Sequence, residues 1–471
     1  MRNLEQLNPK RVFWYFEDLC AIPHGSGNTD AISEYCVRFA RAHGLACERD
    51  EWNNVIIRKP ATAGYEDHPT VIVQGHLDMV CEQDANCPLN METDGLRVRT
   101  DGEWVWAEGT TLGGDDGIAV AMALAILEDD TLCHPALEML FTTDEETGMY
   151  GAAGLDASRL SGRVLLNADS ENEGVLTVGC AGGARAALSI PVTRVPLNAP
   201  CICVTVEGLM GGHSGVEIDK GRLNANKLMG AFLQSLSTPY RIVSLEGGNK
   251  DNAIPRRTVC VLHTTEDVAA AARAFVNAHR VDTDPDLTVT VTAAPSAETA
   301  LTAADSRRVA AFLAALPNGI QTMSADIAGL VQTSLNLGVL KLQEDALCAT
   351  FAVRSSVNRE RDALLDRLTQ ITADFGGEAD IHGRYPAWEY RSHSLLRETM
   401  CAVYRRLYQA DPVVEIIHAG LECGLLSDKL PGLDAVSFGP DMADIHTSRE
   451  RLSVASTART YTYLCETLRS L

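Results

Sequence analysis

Short apolar runs alternate with helical stretches over the first 190 residues of the chain. The runs at 70–80, 137–144 and 163–169 have the length of buried strands, whereas residues 117–130 are rich in Ala and Leu at helical spacing. Such alternation of strands and helices is typical of an α/β fold with a mostly parallel sheet flanked by helices.

The pattern changes between about 190 and 385. Segments rich in β-formers, such as "APCICVTVEGL" and "DLTVTVTAA", are separated there by Ala-rich helical stretches. After residue 385, an amphipathic helix at 392–412 is followed by two strand-like segments, so the alternation of helices and strands seen in the first 190 residues resumes. The pattern therefore predicts one α/β domain made of residues 1–190 and 386–471, interrupted by an inserted α+β domain at 191–385.

Histidine and acidic residues stand where three of the predicted strands end. They are His76 and Asp78 at the carboxyl end of the first strand, Asp144, Glu145 and Glu146 at that of the second, and Asp169 at that of the third. In open α/β sheets, ligands bind at the carboxyl ends of the strands. The sequence therefore predicts a binding site at this edge of the sheet.

Each of these residues also has an ordinary structural interpretation. His76 and Asp78 lie two apart on a predicted strand, and a lone His-x-Asp pair is more often structural than metal-binding. Asp115 and Asp116 follow two glycines and precede a helix, where a carboxylate caps free N–H groups. Glu145 and Glu146 reach one site only if the strand ends before them, which the following Thr-Gly makes plausible.

Taken together, and with His446 in a polar loop near the end of the chain, the residues favour a metal site. Carboxylates and imidazoles, with one carboxylate bridging two ions about 3.5–4 Å apart, suit Zn²⁺, Mn²⁺ or Co²⁺ hydrolases. The 14 cysteines show no paired CxxC pattern, so neither a thiolate zinc site nor a disulfide framework is predicted.

Composition narrows the choice of partner and compartment. A formal net charge of −23 argues against a nucleic-acid partner. The chain contains no apolar run near the ~20 residues of a membrane helix. Residues 1–20 have acids between their apolar positions and predict an amphipathic helix, not a signal peptide. We therefore expect a cytoplasmic protein that acts on neither nucleic acid nor membranes.

The residues resemble, in this order, a known enzyme group. The matching segments are "IPHGSGN", "GHLDMV", "TLGGDDGIA", "TTDEETGMYGA", "LLNADSENEG", "GLMGGHSGVEIDKGRLNANKL", "DNAIPR", "IHAGLECG" and "GPDMADIHTSRE". They are similar to those of the dinuclear-zinc aminopeptidase, carboxypeptidase and aminoacylase superfamily. The resemblance is greatest to aminoacyl-histidine dipeptidases, also called Xaa-His dipeptidases, peptidase D or cytosol non-specific dipeptidases, and it spans nearly the whole chain.

The resemblance implies a role for each motif residue. It implies two divalent metal ions, with Zn²⁺ expected and Mn²⁺ or Co²⁺ as alternatives. The implied metal ligands are His76 and Asp169 on one ion, Glu146 and His446 on the other, and Asp115 as the bridge. Glu145 would be the general base, and Asp78 would orient His76. In the inserted domain, then a lid, His213 would polarise the scissile carbonyl, and Asn252, Arg354 and Gly420 would hold the substrate.

The implied function is metal-dependent proteolysis by a metallodipeptidase, which hydrolyses Xaa-His dipeptides or a broad range of dipeptides. An N-acyl amino acid amidohydrolase is the alternative, and a peptide-binding protein with a decayed site is a third hypothesis, which the complete ligand set disfavours. The lid either mediates a homodimer or supplies in one chain what a partner subunit supplies elsewhere, so the sequence leaves the oligomeric state open. The roles of Asp116 and Asp144 are also open.

Overall fold

The computed structural model describes residues 2–325, 327 and 329–471. The chain forms two compact units. Unit 1 comprises Met1–Gly179, Tyr390–Ile416 and Leu421–Leu471, and unit 2 comprises Cys180–Glu389 and Ile417–Gly420. The predicted division into 1–190, 191–385 and 386–471, and the function of the middle part as a lid, stay predictions.

The α-helices among the described residues have these bounds: α1 (Lys10–Cys20), α2 (Asp30–Ala42), α3 (Gly114–Glu128), α4 (Tyr150–Gly154), α5 (Ala225–Ser235), α6 (Ala269–His279), α7 (Ala303–Ala315), α8 (Asn358–Asp374), α9 (Leu395–Tyr408), α10 (Glu422–Lys429) and α11 (Val454–Ser470).

The strands have these bounds: β1 (Ala46–Arg49), β2 (Val55–Lys59), β3 (Val71–His76), β4 (Val98–Thr100), β5 (Trp104–Ala107), β6 (Leu137–Thr142), β7 (Val164–Asn167), β8 (Val175–Cys180), β9 (Gly182–Pro191), β10 (Arg194–Glu207), β11 (Gly212–His213), β12 (Tyr240–Gly247), β13 (Ala253–Ile254), β14 (Thr258–Thr264), β15 (Thr288–Leu301), β16 (Gly319–Met323), β17 (Val331–Leu342), β18 (Ala346–Ser355), β19 (Glu378–Tyr385), β20 (Val413–Ile417), β21 (Asp434–Ser437), β22 (Met442–Ala443) and β23 (Arg451–Ser453).

The main sheet of unit 1 has the strand order β1-β2-β6-β3-β7-β21-β8-β20. Its centre, β6-β3-β7-β21, is parallel, whereas β1 and β2 on one side and β8 on the other are antiparallel to their neighbours. β3 and β6 are buried along their whole length, which explains why both appear in the sequence as continuous apolar runs. The α/β class with a parallel sheet is confirmed.

The helix α3 lies in the interior of unit 1. Nearly all of its residues are buried, so apolar side chains cover its whole circumference, and it contacts both α1 and β3. On the chain's return, α9 contacts α11 and β21. A smaller four-stranded sheet with the order β22-β23-β5-β4 holds the hairpin that contains the His446 loop. The helix α3 and this hairpin each present one end to the edge where β3, β6 and β7 finish.

Two local expectations are corrected. The first helix begins at Lys10 and not at the chain start, because Pro9 disfavours helical backbone at the residue before it. β3 ends at His76, so Asp78 lies in the turn after the strand and not on its face. None of the described helices is long and apolar enough to cross a membrane.

Unit 2 is built on an antiparallel sheet with the order β15-β10-β14-β12-β17-β18-β9-β19, and β16 pairs with β17 beside this path. The helices α5, α6, α7 and α8 contact its strands. Phe232, Phe312 and Phe351 are among the large side chains fully buried in its core. The β-rich stretches with Ala-rich helices between them therefore form one α+β unit.

Candidate metal centre

Three neighbouring strands bring the residues that follow them to one edge of the sheet in unit 1. β3 lies between β6 and β7 and is parallel to both, with His76 opposite Thr142. His76 is the last residue of β3, Asp144 comes two residues after β6, and Asp169 comes two residues after β7. Parallel strands therefore collect the three predicted clusters in one place.

The carboxylate of Asp115 lies between two imidazoles. Its Oδ1 is 3.1 Å from Nε2 of His76, and its Oδ2 is 3.1 Å from Nε2 of His446. The same nitrogen of His446 is 2.9 Å from Oε1 of Glu146. One carboxylate thus offers each of its oxygens to a different imidazole, which is the arrangement that a carboxylate bridging two cations requires.

The remaining predicted ligands complete this group. Nε2 of His76 is 3.7 Å from Oδ1 of Asp169. Ligand atoms lie within 4.8 Å of one another in three sets: His76, Asp116 and Asp169; His76, Glu145 and Glu146; and Asp115, Glu146 and His446. The structure therefore brings together all five predicted metal ligands and the predicted base.

Asp78 contacts both the imidazole of His76 and the turn that carries the two glutamates. Nδ1 of His76 donates to the backbone carbonyl of Asp78 at 2.9 Å, and the Asp78 carboxylate lies 3.5 Å from the same nitrogen. This carboxylate also accepts hydrogen bonds from the backbone N–H groups of Glu145 at 3.1 Å and Glu146 at 3.3 Å, and from the Ser26 hydroxyl at 2.7 Å. Asp78 therefore contacts both the imidazole of His76 and the backbone of the two glutamates.

The turn after β6 explains how two adjacent glutamates face one site. The N–H groups of Gly148 and Met149 both donate to the carbonyl of Glu145 at 2.9 Å, so the chain folds back immediately after the strand. Asp144 has a left-handed backbone with φ of 54°, and its carboxylate accepts the N–H of Gly27 at 2.6 Å. Asp144, whose role the sequence left open, is therefore hydrogen-bonded to the backbone of the loop that contains Gly27.

The two imidazoles bind protons strongly because carboxylates surround them. Hydrogen bonds to Asp115 and Glu146 raise the pKa of His446 to about 10. Burial alone would lower the pKa of His76, but its contacts with Asp115 and Asp78 raise it well above the ordinary value. Burial would raise the pKa of Asp115, yet hydrogen bonds from both imidazoles hold it well below its usual range. The imidazolium ions thus supply positive charge to this carboxylate.

The neighbouring carboxyls are short of positive charge. Burial, together with repulsion from the surrounding acids, raises the pKa of Glu145 to about 8 and raises that of Asp169 well above normal. Within the described part of the chain, no Lys or Arg forms an ion pair with the five predicted ligands or with Glu145. A donor set of oxygens and imidazole nitrogens with this deficit of cations fits divalent metal ions.

Asp116 is a buried member of the site whose role the sequence did not define. Its side chain is fully buried, Oδ2 accepts the N–H of His76 at 3.1 Å, and Oδ1 has no hydrogen-bond partner among the described residues. Burial raises its pKa well above normal. Gly75 leaves the space it occupies, since a Cβ there would lie 2.5 Å from Asp116 Oδ2. The Asp-Asp doublet after two glycines was the available sequence signal.

Glu422 is a second buried acid, which sequence reasoning missed. It is fully buried, and its Oε2 accepts hydrogen bonds from Gln74 Nε2 and Thr142 Oγ1, both at 2.6 Å. Gln74 in turn accepts from Asn167 at 2.6 Å. This network ties β3, β6 and β7 together below their carboxyl ends. Only the position of Glu422 in the "HAGLECG" motif could have indicated it.

The predicted catalytic residue His213 lies in unit 2, as do the predicted substrate-binding residues Asn252, Arg354 and Gly420. Nδ1 of His213 accepts the N–H groups of Gly215 at 3.2 Å and Val216 at 3.3 Å, so the neutral ring carries its proton on Nε2. Burial and the charge of Arg354 lower the pKa of His213, which keeps the ring neutral. His213 therefore offers an N–H donor from Nε2.

Arg354 has donors to spare for an anion. Its Nη1 donates to the Tyr385 hydroxyl at 3.1 Å, while its buried Nε has no partner among the described residues. The nearby His418 is nearly buried, and its Nε2 lies 2.8 Å from the Ser334 hydroxyl. The backbone carbonyl of Asn252 accepts the N–H of Ser214 at 2.8 Å, beside His213. Arg354 therefore gives unit 2 a cationic group with an unused donor.

Comparisons with known proteins agree with one another. The profile of Peptidase family M20/M25/M40 matches residues 72–470. The cytosol non-specific dipeptidase of Escherichia coli (strain K12) is 35% identical over 482 residues, covering 100% of this chain and 99% of that relative. The crystal structure of aminoacylhistidine dipeptidase from Vibrio alginolyticus has a TM-score of 0.94 at 34% identity, covering 100% of this chain and 98% of that one.

A more distant structure shares the fold. Aminopeptidase PepT from Bacillus cereus has a TM-score of 0.58 at 15% identity and covers 98% of this chain and 99% of its own. The resemblance stated from the motifs is thus confirmed along the full length of the chain. The three sets of ligand atoms in this chain together contain two imidazoles and five carboxylates. The chain belongs to Peptidase family M20/M25/M40.

Proposed function

We propose that the chain is a metal-dependent dipeptidase that hydrolyses Xaa-His dipeptides or a broader range of dipeptides, with Glu145 as the general base. The observation that carries the proposal is the position of Asp115, whose two oxygens each lie 3.1 Å from a different imidazole. Its support is the full-length similarity to two proteins named as dipeptidases.

Two divalent ions, most simply Zn²⁺, with Mn²⁺ or Co²⁺ as alternatives, would be held by the residues of the site. His76 and Asp169 would hold one ion, Glu146 and His446 the other, and Asp115 both. When bound, such ions lower the pKa of water toward neutrality and polarise a carbonyl oxygen. The supporting distances are 3.7 Å between His76 and Asp169 and 2.9 Å between His446 and Glu146.

Glu145 is suited to move the proton. Its backbone N–H donates to the Asp78 carboxylate at 3.1 Å, and this hydrogen bond fixes the point of the backbone from which the side chain extends. In the metal-free protein the pKa of Glu145 is raised to about 8 by burial, and neighbouring cations would lower it toward the range in which a base works at neutral pH. Glu145 would take the proton of the attacking water and return it to the leaving amine.

The residues of unit 2 would bind the substrate. The N–H on Nε2 of His213 would donate to the scissile carbonyl oxygen, since Nδ1 is occupied as an acceptor. Arg354 would take the free α-carboxylate, for which a guanidinium offers two parallel donors. Asn252 and the backbone of Gly420 would complete the contacts. An anchor for the free α-carboxylate favours dipeptides over long peptides.

The same similarity supports a proposal for the compartment and the substrate. We propose a cytoplasmic enzyme, supported by the relative named as a cytosol dipeptidase. Its partner is a small dipeptide, and neither nucleic acid nor a membrane is needed for the reaction. A homodimer and a self-contained lid remain the two arrangements to distinguish by measuring molecular mass in solution.

A dipeptide panel tests the proposal. Purified full-length protein is stripped with a chelator, reloaded with Zn²⁺ or Mn²⁺, and assayed on Xaa-His, β-Ala-His and unrelated dipeptides beside N-acetyl amino acids. We expect turnover of dipeptides that disappears on chelation and in the Glu145→Gln variant. Hydrolysis of no dipeptide would refute the proposal, and faster hydrolysis of N-acetyl amino acids would select the amidohydrolase instead.

A further inference from the structure

Glu450 is a buried acid that follows His446 by four residues and has no assigned role. It is 3% exposed, and its two oxygens accept four consecutive backbone N–H groups. The donors are Leu112 at 2.7 Å and Gly113 at 3.2 Å to Oε2, and Gly114 at 2.8 Å and Asp115 at 3.3 Å to Oε1. One carboxylate thus satisfies the whole run of amides that leads into the bridging aspartate.

These amides need such a partner. They lie at the start of α3, where backbone N–H groups have no acceptor within the helix, and the segment is buried. A buried N–H without an acceptor costs about 1–3 kcal/mol. Gly114 also fits closely, since an added Cβ would lie 3.2 Å from Glu450 Oε1. The carboxylate therefore determines the path of the loop before Asp115.

The loop that carries Glu450 also carries His446, four residues earlier. The N–H of Glu450 donates to the carbonyl of Thr447 at 3.1 Å, which closes a short turn between the imidazole and the carboxylate. β22 and β23 pair on either side of this turn, and β23 pairs with β5. Glu450 is therefore a direct link between two loops that are remote in sequence and that meet where Oδ2 of Asp115 lies 3.1 Å from His446.

We propose that Glu450 is a positioning residue for the metal pair, which holds the bridging Asp115 in register with His446. The inference rests on the proposed function only in taking these two residues as metal ligands. Metal affinity depends strongly on the partners that orient the ligands, and losing one typically costs about 10–100-fold. Without Glu450, these four amides would need other acceptors, and Asp115 would shift from its position between the imidazoles.

The test measures Zn²⁺ binding to the metal-stripped full-length chain by competition with a chromophoric chelator, in the absence of peptide. Glu450→Gln keeps the shape but sets an amide NH₂ against two N–H donors, and Glu450→Asp keeps the charge but is one methylene shorter. We expect both variants to weaken at least one of two Zn²⁺ sites by about 10–100-fold. Excess Zn²⁺ should restore occupancy in each.

Glu138 provides a matched control. It is also 3% exposed and accepts backbone N–H groups from Ser161 and Gly162 at 3.0 Å, but it stands near the start of β6, about 13 Å along the strand from Thr142. Glu138→Gln should destabilise the fold without changing Zn²⁺ affinity, as urea unfolding and the same titration would report.

Two results would overturn the inference. Zn²⁺ affinity in Glu450→Asp equal to the parent would show that charge alone matters, and a loss in Glu450→Gln no larger than in Glu138→Gln would show a general effect on folding. Absence of dipeptide hydrolysis by a parent protein that binds two Zn²⁺ ions would refute the proposed function and leave this inference standing.

Discussion

Loading the stripped protein with two Zn²⁺ ions at pH 7 should release at least two protons, one from each imidazole. In the metal-free protein the pKa of His446 is raised to about 10, and that of His76 lies well above its ordinary value. Both rings therefore carry a proton at pH 7, whereas a metal ligand must be a neutral imidazole. Glu145, with a pKa of about 8, would add up to one further proton if cations render it ionised.

The size of the effect follows from the number of protons. The pKa of His446, about 10, lies above the range from pH 8 to pH 6, so the proton that it releases weakens Zn²⁺ binding about tenfold per unit fall in pH. That proton alone lowers the product of the two association constants about 100-fold from pH 8 to pH 6, and the proton that His76 releases adds to the fall. The sign is fixed: affinity rises with pH until the imidazolium ions have titrated.

Isothermal titration calorimetry measures the proton count directly. Zn²⁺ is titrated at pH 7 in two buffers that bind the metal weakly and differ in enthalpy of ionisation, and the difference in heat gives the protons released. His446→Ala should release one proton fewer, whereas removal of the exposed His393 should change nothing. A count below two, or an unchanged count in His446→Ala, would refute the assignment of these rings as proton-binding ligands.

Three further predictions concern neighbouring positions. Glu145→Gln should keep two Zn²⁺ ions but lose about 10²–10⁴-fold in kcat. Glu146→Gln should instead lose metal after dialysis. If both variants stay active and metal-loaded, the assignment of Glu145 as base and Glu146 as ligand is wrong. Asp78→Asn replaces an acceptor that holds both glutamate N–H groups and should lower kcat about 10–100-fold with little change in KM; kinetics equal to the parent would count against it. Gly75→Ala places a Cβ 2.5 Å from Asp116 Oδ2 and 2.8 Å from Ala119 Cβ, and should cost about 1–3 kcal/mol in urea unfolding; unchanged stability would contradict this geometry.

The sheet and the place of the site could be predicted from the sequence for one physical reason. Parallel central strands must be apolar on both faces, so β3, β6 and β7 stand out as apolar runs, and the polar residues after them must meet at one edge. The antiparallel outer strands are less apparent, because β1 is half-exposed and β2 follows it after a short turn. Local pattern identifies the centre of such a sheet better than its margins.

The supporting residues could not be predicted in the same way. Glu450 lies more than 330 residues from the amides that it binds, and Glu422 lies 348 residues from Gln74. Their function depends on which backbone groups the folded chain leaves without an acceptor, and no periodicity in the sequence encodes that. A buried acid in a helix start or after a histidine looks the same as a solvated acid until the tertiary fold defines its partners.

The alternation of side chains along a strand does not explain how the adjacent residues Glu145 and Glu146 reach the same site. On a continuing strand they would face opposite sides, and only one could reach the metals. The chain instead turns at Glu145, and the Asp78 carboxylate accepts the backbone N–H groups of both residues. A buried acid placed beneath two other acids is unfavourable by charge alone, so the arrangement requires compensating cations. In the stripped protein two imidazolium ions serve this purpose, and metal ions displace their protons. The predicted proton release is therefore the thermodynamic consequence of the same acid cluster that positions the base.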